Sequence, residues 1–265
     1  MHILLTDRLA CPRCGPEFGL VLLAHEVRDR RVLEGDLGCP NCREAYPVRE
    51  GFADLRPPPR TPLGSRQVAG EGAEVAGEGR VAGLGRRTAS LGEGAATADE
   101  EGGTGHAADP AAEEVLRLGA LLGVTEGPGM LLLKGPAARH GKALAELIGQ
   151  VEVVVMNPAL HEAKEEEGVS RVLGRGRIPF YSGSFRGVVL SGDVGEMDVE
   201  EGCRVVAPLS RLVILGAGPE MTARVRALGL SVLLEQDGIL AAAREGPSTS
   251  PLIPLRGSQG SPTLP

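Results

Sequence analysis

Four of the chain's five cysteines fall in two tight pairs, Cys11-Pro12-Arg13-Cys14 and Cys39-Pro40-Asn41-Cys42. A two-residue spacing lets both sulfurs of a pair reach one ion, and two such knuckles complete a tetrahedron of thiolates. Twenty-four residues lie between the pairs, enough for a hairpin that brings the knuckles together. Structural zinc on Cys11, Cys14, Cys39 and Cys42 is the expected occupant. Iron in the same cage is the alternative, and a coloured protein would reveal it. A closed four-thiolate site has no position for water, so the metal is expected to fold the domain and not to catalyse. Cysteines used this way fit a reducing compartment better than a disulfide framework. His25, between the knuckles, reads as a surface or packing residue, and Cys203 as a small buried side chain.

The elements that must position these residues fall into three parts and a tail. Residues 1–56 are compact and strand-like and end at three consecutive prolines, which stop any regular element. Residues 57–110 form a Gly/Ala/Glu-rich stretch. Between Thr61 and Pro110 it carries twelve glycines and only six Leu or Val, too little apolar surface to offset the entropy of ordering. A disordered linker is expected there. Order resumes near Ala111, where "AAEEVLRLGALLGV" has helical spacing. Strands are expected at "GMLLLKG", "VEVVVMN", "SRVLG", "FRGVVLSG", "RLVILG", "LSVLLEQ" and "GILAAAR", with helices at Gly141–Ile148, Leu160–Glu167 and Val199–Val206. Apolar strands alternating with helices imply a largely parallel sheet with covered faces. Asp237-Gly238 is a two-residue hairpin signal, so this sheet should end in an antiparallel pair. The tail, residues 246–265, is proline-rich and expected to be disordered.

Composition excludes several roles. A net charge of −7 argues against gripping nucleic acid through the overall field, and two Tyr, four Phe and no Trp leave few stacking platforms. Residues 1–56 hold eight arginines and no lysine against nine acids. A zinc ion with four thiolates adds about two negative charges, so protein contact suits this surface better than phosphate. No stretch is long and apolar enough for a membrane span, and the N-terminus lacks the features of a signal peptide. The expected location is cytoplasmic.

The motifs "LACPRC" and "LGCPNCREAYPVREGFADLRP" resemble the small zinc-binding activator subunit of tRNA and protein methyltransferases over residues 1–56. The resemblance implies a ribbon that adds a strand and an apolar patch to a methyltransferase partner. It puts Tyr46, Pro47, Val48, Gly51 and Phe52 near the docking edge. The same residues would also close the ribbon's own core.

Residues 111–245 are similar to the S-adenosylmethionine-dependent methyltransferase fold, through "RIPFYSGSFRGVVLSGDV", "VVAPLSRLVILG" and "RALGLSVLLEQDGILAAAR". The expected fold is therefore α/β, a Rossmann-like methyltransferase sheet with a terminal antiparallel hairpin, preceded by a small β-rich zinc ribbon. The resemblance places the cofactor at Gly135, Asn157 and Ile178. Around these positions it finds a degenerate set. Ala137 and Arg139 replace loop glycines, and Leu133 replaces an acid. Asn157 replaces the acid expected to take the ribose hydroxyls, and an amide accepts through one uncharged oxygen only. Gly174 and Arg175 stand where an acid should face the adenine, and Arg186 replaces an aspartate. Arg139, Arg175 and Arg186 would oppose a cationic cofactor.

The expected function is a non-catalytic scaffold or activator of a methyltransferase. The alternatives are an active methyltransferase with a divergent pocket and, against its charge, a ribbon that binds nucleic acid. The expected partner is a protein, either a methyltransferase or the chain's own second domain. No catalytic residue is assigned; His140 and His161 read as solvent-facing. The shortened segment "LHEAKEEEG" leaves one side of the sheet thin, and the ribbon is the candidate cover.

Overall fold

The computed structural model describes residues 1–63 and 109–246. Most of the expected linker and all of the tail beyond Gly246 therefore lie outside the described residues. No described helix is long and apolar enough to cross a membrane.

A 3-10 turn (Ile3–Arg8) leads into the ribbon, whose strands are β1 (Ala10–Cys11), β2 (Gly15–Gly19), β3 (Val21–Arg28), β4 (Arg31–Gly38), β5 (Ala45–Arg49) and β6 (Phe52–Asp54). After the undescribed stretch comes α1 (Pro110–Leu122), which starts inside the range expected to be linker. Asp109 caps it by accepting from Ala111 N–H, proline fills its first turn, and Gly123 closes it at φ 65°. Then follow β7 (Gly129–Lys134), α2 (Gly141–Ile148), β8 (Val151–Met156), β9 (Val169–Leu173), β10 (Phe185–Leu190), α3 (Glu196–Val205), β11 (Val206–Leu215), α4 (Pro219–Ala227), β12 (Leu230–Gln236) and β13 (Ile239–Arg244).

One sheet of eleven strands runs β12-β13-β11-β10-β7-β8-β9-β6-β5-β4-β3. From β9 to β11 the pairing is parallel, and β13 closes that end antiparallel to both β11 and β12. The hairpin turns at Asp237 and Gly238 with φ of 50° and 72°, the left-handed pair such a turn requires. The expected Rossmann-like sheet with a terminal hairpin is therefore present.

The ribbon continues this sheet. Strand β6 lies parallel to β9, with Phe52 opposite Arg171, Ala53 opposite Val172 and Asp54 opposite Leu173. Beyond the strands, Ala10 N–H donates to the Pro179 carbonyl and Tyr181 N–H to that of Arg8, each at 3.0 Å.

Two apolar layers cover the sheet. On one face, Val115, Leu118, Leu122 and Leu144 from α1 and α2 pack on Leu131, Leu133, Val153 and Val155. On the other, Leu5, Leu9, Leu37, Tyr46 and Val48 of the ribbon join Val154, Val172, Ile178, Phe180 and Phe185 in a single cluster. The ribbon thus takes the place of a helix between β9 and β10, where residues 174–184 run without one. The side thinned by the short acidic segment is the opposite one, so the ribbon covers a different gap from the one expected.

That segment is also not a helix. Only Pro158–Leu160 forms a 3-10 turn. Downstream, Arg171 draws the carbonyls of Leu160, His161 and Ala163 onto its guanidinium, which a helix at Leu160–Glu167 would need for itself.

Candidate metal centre and cofactor crevice

The two knuckles meet. Cys11 Sγ lies 3.8 Å from Cys42 Sγ and Cys14 Sγ 3.8 Å from Cys39 Sγ, with all four sulfurs within 4.8 Å of one another. Four sulfurs at about 2.3 Å from one ion would form a tetrahedron with edges of about 3.8 Å. No pair is oxidised. The donors around the cage are those that thiolates need. Cys14 N–H points at Cys11 Sγ at 3.4 Å, Asn41 Nδ2 at Cys14 Sγ at 3.3 Å, and Tyr46 hydroxyl lies 3.7 Å from Cys11 Sγ. Burial pushes the Tyr46 phenol up, so it keeps its proton for that sulfur. Arg60 stacks over the same ring at 5.3 Å. The cage fits zinc, which when bound supplies folding free energy and offers no open position.

At the other candidate site, strand order reverses between β7 and β10, and the C-terminal ends of these strands are where doubly wound sheets seat their ligands. Here the two loops touch each other. A Cβ on Gly135 (φ 82°) would stand 2.0 Å from the Ser191 carbonyl oxygen, and one on Gly192 would stand 2.8 Å from Pro136 Cδ. Only glycine permits either approach.

The loop's polar groups are spent internally. Gly135 N–H donates to the Met156 carbonyl at 3.0 Å and Ala138 N–H to that of Gly135 at 3.1 Å. Ala137 N–H donates to Ser191 Oγ at 2.9 Å, and that hydroxyl donates to the Lys134 carbonyl at 2.8 Å. Lys134 Nζ meets Asp198 Oδ1 at 2.6 Å.

Gly135 and Asn157 are brought together, but for each other. Asn157 Nδ2 donates to the Gly135 carbonyl at 3.1 Å, and its Oδ1 accepts from Ala159 N–H at 3.0 Å. Ile178 is elsewhere and 1% exposed. Its N–H donates to Glu201 Oε2 at 2.9 Å and its carbonyl accepts from Arg204 at 2.8 Å.

Several expected placements change. Arg186 points to the N-terminal end of the sheet, donating to the carbonyls of Glu126 and Pro128, so it does not face the crevice. Arg139 pairs with Glu114 on α1 at 2.8 Å and holds that carboxyl below its ordinary range. Arg175 is exposed. His140 is buried, accepting from Arg139 Nε at 2.8 Å, and is not solvent-facing. His161 packs edge-on against Phe52. Sequence reasoning passed over Ser191, Gly192 and Asp198; the Ser-Gly pair directly after an apolar strand was the available signal. A cavity of about 630 Å³ lies at the opposite end of the strands, between Leu4 and Arg30 of the ribbon and Gly129 and Gln150.

The fold and the cage together define a small ribbon with a four-cysteine cage built onto the edge of a doubly wound α/β sheet. Residues 2–51 match the family model described as Trm112p-like protein, so the ribbon is a Trm112p-like domain. No curated protein matches the chain. Among solved structures, the chain is similar to a complex between the Haloferax volcanii Trm112 methyltransferase activator and a putative methyltransferase. That similarity has 16% identity and a TM-score of 0.40, over 47% of this chain and 69% of the other. It is also similar to a putative S-adenosylmethionine-dependent methyltransferase from Methanococcus maripaludis, at 11% identity and a TM-score of 0.41, over 52% and 87%.

Proposed function

We propose that the chain is a non-catalytic scaffold in which an activator-like zinc ribbon is permanently docked on its own methyltransferase-like sheet. The observation that carries this is the contact of Pro136 with Gly192 across the switch point, at the place a cofactor would enter. A ligand would have to part these loops and break the Gly135, Ala137 and Asn157 hydrogen bonds. Among the carboxylates there, Asp198 is already paired with Lys134 and Glu114 with Arg139. The strand edge by which the ribbon would reach another methyltransferase is occupied by β9. The ribbon's partner is thus the sheet of the same chain.

An active methyltransferase with a divergent pocket has one observation in its favour: Asp193 is exposed one residue beyond Gly192. Thermal unfolding with S-adenosylmethionine separates the two readings. At a ligand concentration a hundred times its Kd, binding would add about 2.7 kcal/mol and raise Tm by roughly 5–10 °C. The scaffold reading expects no shift at millimolar ligand; a shift of that size overturns it.

A further inference from the structure

Backbone pairing between β6 and β9 is blind to sequence, so on its own it would let the ribbon add to the edge of any exposed parallel sheet. The side chains at the seam are not blind. Arg31, on ribbon strand β4, reaches out of the ribbon and spends its guanidinium on the sheet. Its Nη1 meets Glu152 Oε1 of β8 at 2.8 Å, its Nε meets Glu165 Oε1 at 2.5 Å, and its Nη2 donates to the Val169 carbonyl. Arg31, Glu152 and Glu165 side chains are only 9%, 14% and 17% exposed. Glu152 is fixed in turn by Ser170 Oγ at 2.5 Å, whose oxygen accepts from His2 N–H at 2.8 Å. Arg171, on β9, makes the reverse reach and donates to the Glu50 carbonyl of the ribbon.

We propose that this reciprocal clasp, Arg31 into Glu152 and Glu165 and Arg171 into the Glu50 carbonyl, makes the seam selective for the chain's own sheet. A foreign sheet edge without two carboxylates at these places would bury Arg31 unpaired, and a foreign ribbon without the arginine would leave Glu152 without a cation and Glu165 dependent on the Met1 ammonium, at 2.8 Å here, and on Arg171, at 3.6 Å. Burying an ion with no partner is the kind of penalty that excludes wrong partners, whereas the strand pairing supplies the affinity common to all of them. Linker tethering raises the local concentration of the ribbon, and the clasp decides which surface it accepts.

This inference rests on the reading of the ribbon as docked on its own sheet and is independent of the cofactor crevice. It is tested on the full chain with a protease site placed between residues 64 and 108, cut after purification, with co-elution of the two halves followed on dilution. Wild-type halves should stay together, and Arg31→Glu should weaken them by about a hundredfold or more. Arg31→Glu combined with Glu152→Arg and Glu165→Gln should recover most of that loss. Single-variant halves that hold together as well as wild type overturn the proposal, as does a combined variant no tighter than the single one. Zinc content and circular dichroism of the uncut variants must match wild type. Loss of either also counts against the proposal, because the clasp lies outside the metal cage. None of these outcomes bears on ligand-induced shifts in Tm, so the two readings fail separately.

Discussion

Removing the metal should unfold the sheet as well as the ribbon. The ribbon's Leu5, Leu9, Leu37, Tyr46 and Val48 share one apolar cluster with Val154, Val172, Ile178 and Phe180 of the sheet domain. If the ribbon loses its cage, those four sheet-domain side chains face water. At about 1.5–3 kcal/mol for each large apolar side chain, their exposure costs roughly 6–12 kcal/mol as an upper bound. A domain's whole stability is about 5–15 kcal/mol, so the sheet has little left to stand on. Structural zinc itself contributes on the order of 10 kcal/mol in small metal-folded domains. The assay is hydrogen exchange of the β7, β8 and β10 amides with calorimetry, in the presence of zinc and after chelation, and again for Cys39→Ser. The expected outcome is one cooperative transition with metal and loss of amide protection in all three strands without it. Two independent transitions, or central strands that stay protected after chelation, would refute the shared-core reasoning.

Phe180→Ala should cost about 3–5 kcal/mol, because the ring is fully buried, stacks edge-on with Phe185 at 4.9 Å and lies against the ribbon; urea unfolding measures it. Asn157→Asp restores the carboxylate the methyltransferase resemblance calls for. It should still give no S-adenosylmethionine binding by equilibrium dialysis, because Pro136 and Gly192 remain in contact. The same change should destabilise by about 1–3 kcal/mol, since a carboxylate cannot donate to the Gly135 carbonyl.

The metal cage was legible because its geometry is local: a two-residue spacing carries its own consequence. The sheet with its closing hairpin was legible because apolar runs and the Asp237-Gly238 turn are short-range signals. The family resemblance already implied an added strand with Phe52 near the docking edge, but not that β6 meets β9 of the same chain, since that pairing joins positions more than a hundred residues apart and parallel edge pairing leaves no mark on either strand. Arg31, Glu152 and Glu165 look like surface residues until they face one another. The Leu160–Glu167 stretch has helix-forming composition, yet Arg171, invisible as a competitor in sequence, claims its carbonyls. The order of motifs points Arg186 toward the crevice, but position 186 lies at the start of β10, the far end of the strand from the switch point.

Titration calorimetry of the zinc-loaded full chain with S-adenosylmethionine tests the closed crevice most directly. The account predicts only heats of dilution up to millimolar ligand. A saturable isotherm with a micromolar Kd would contradict it.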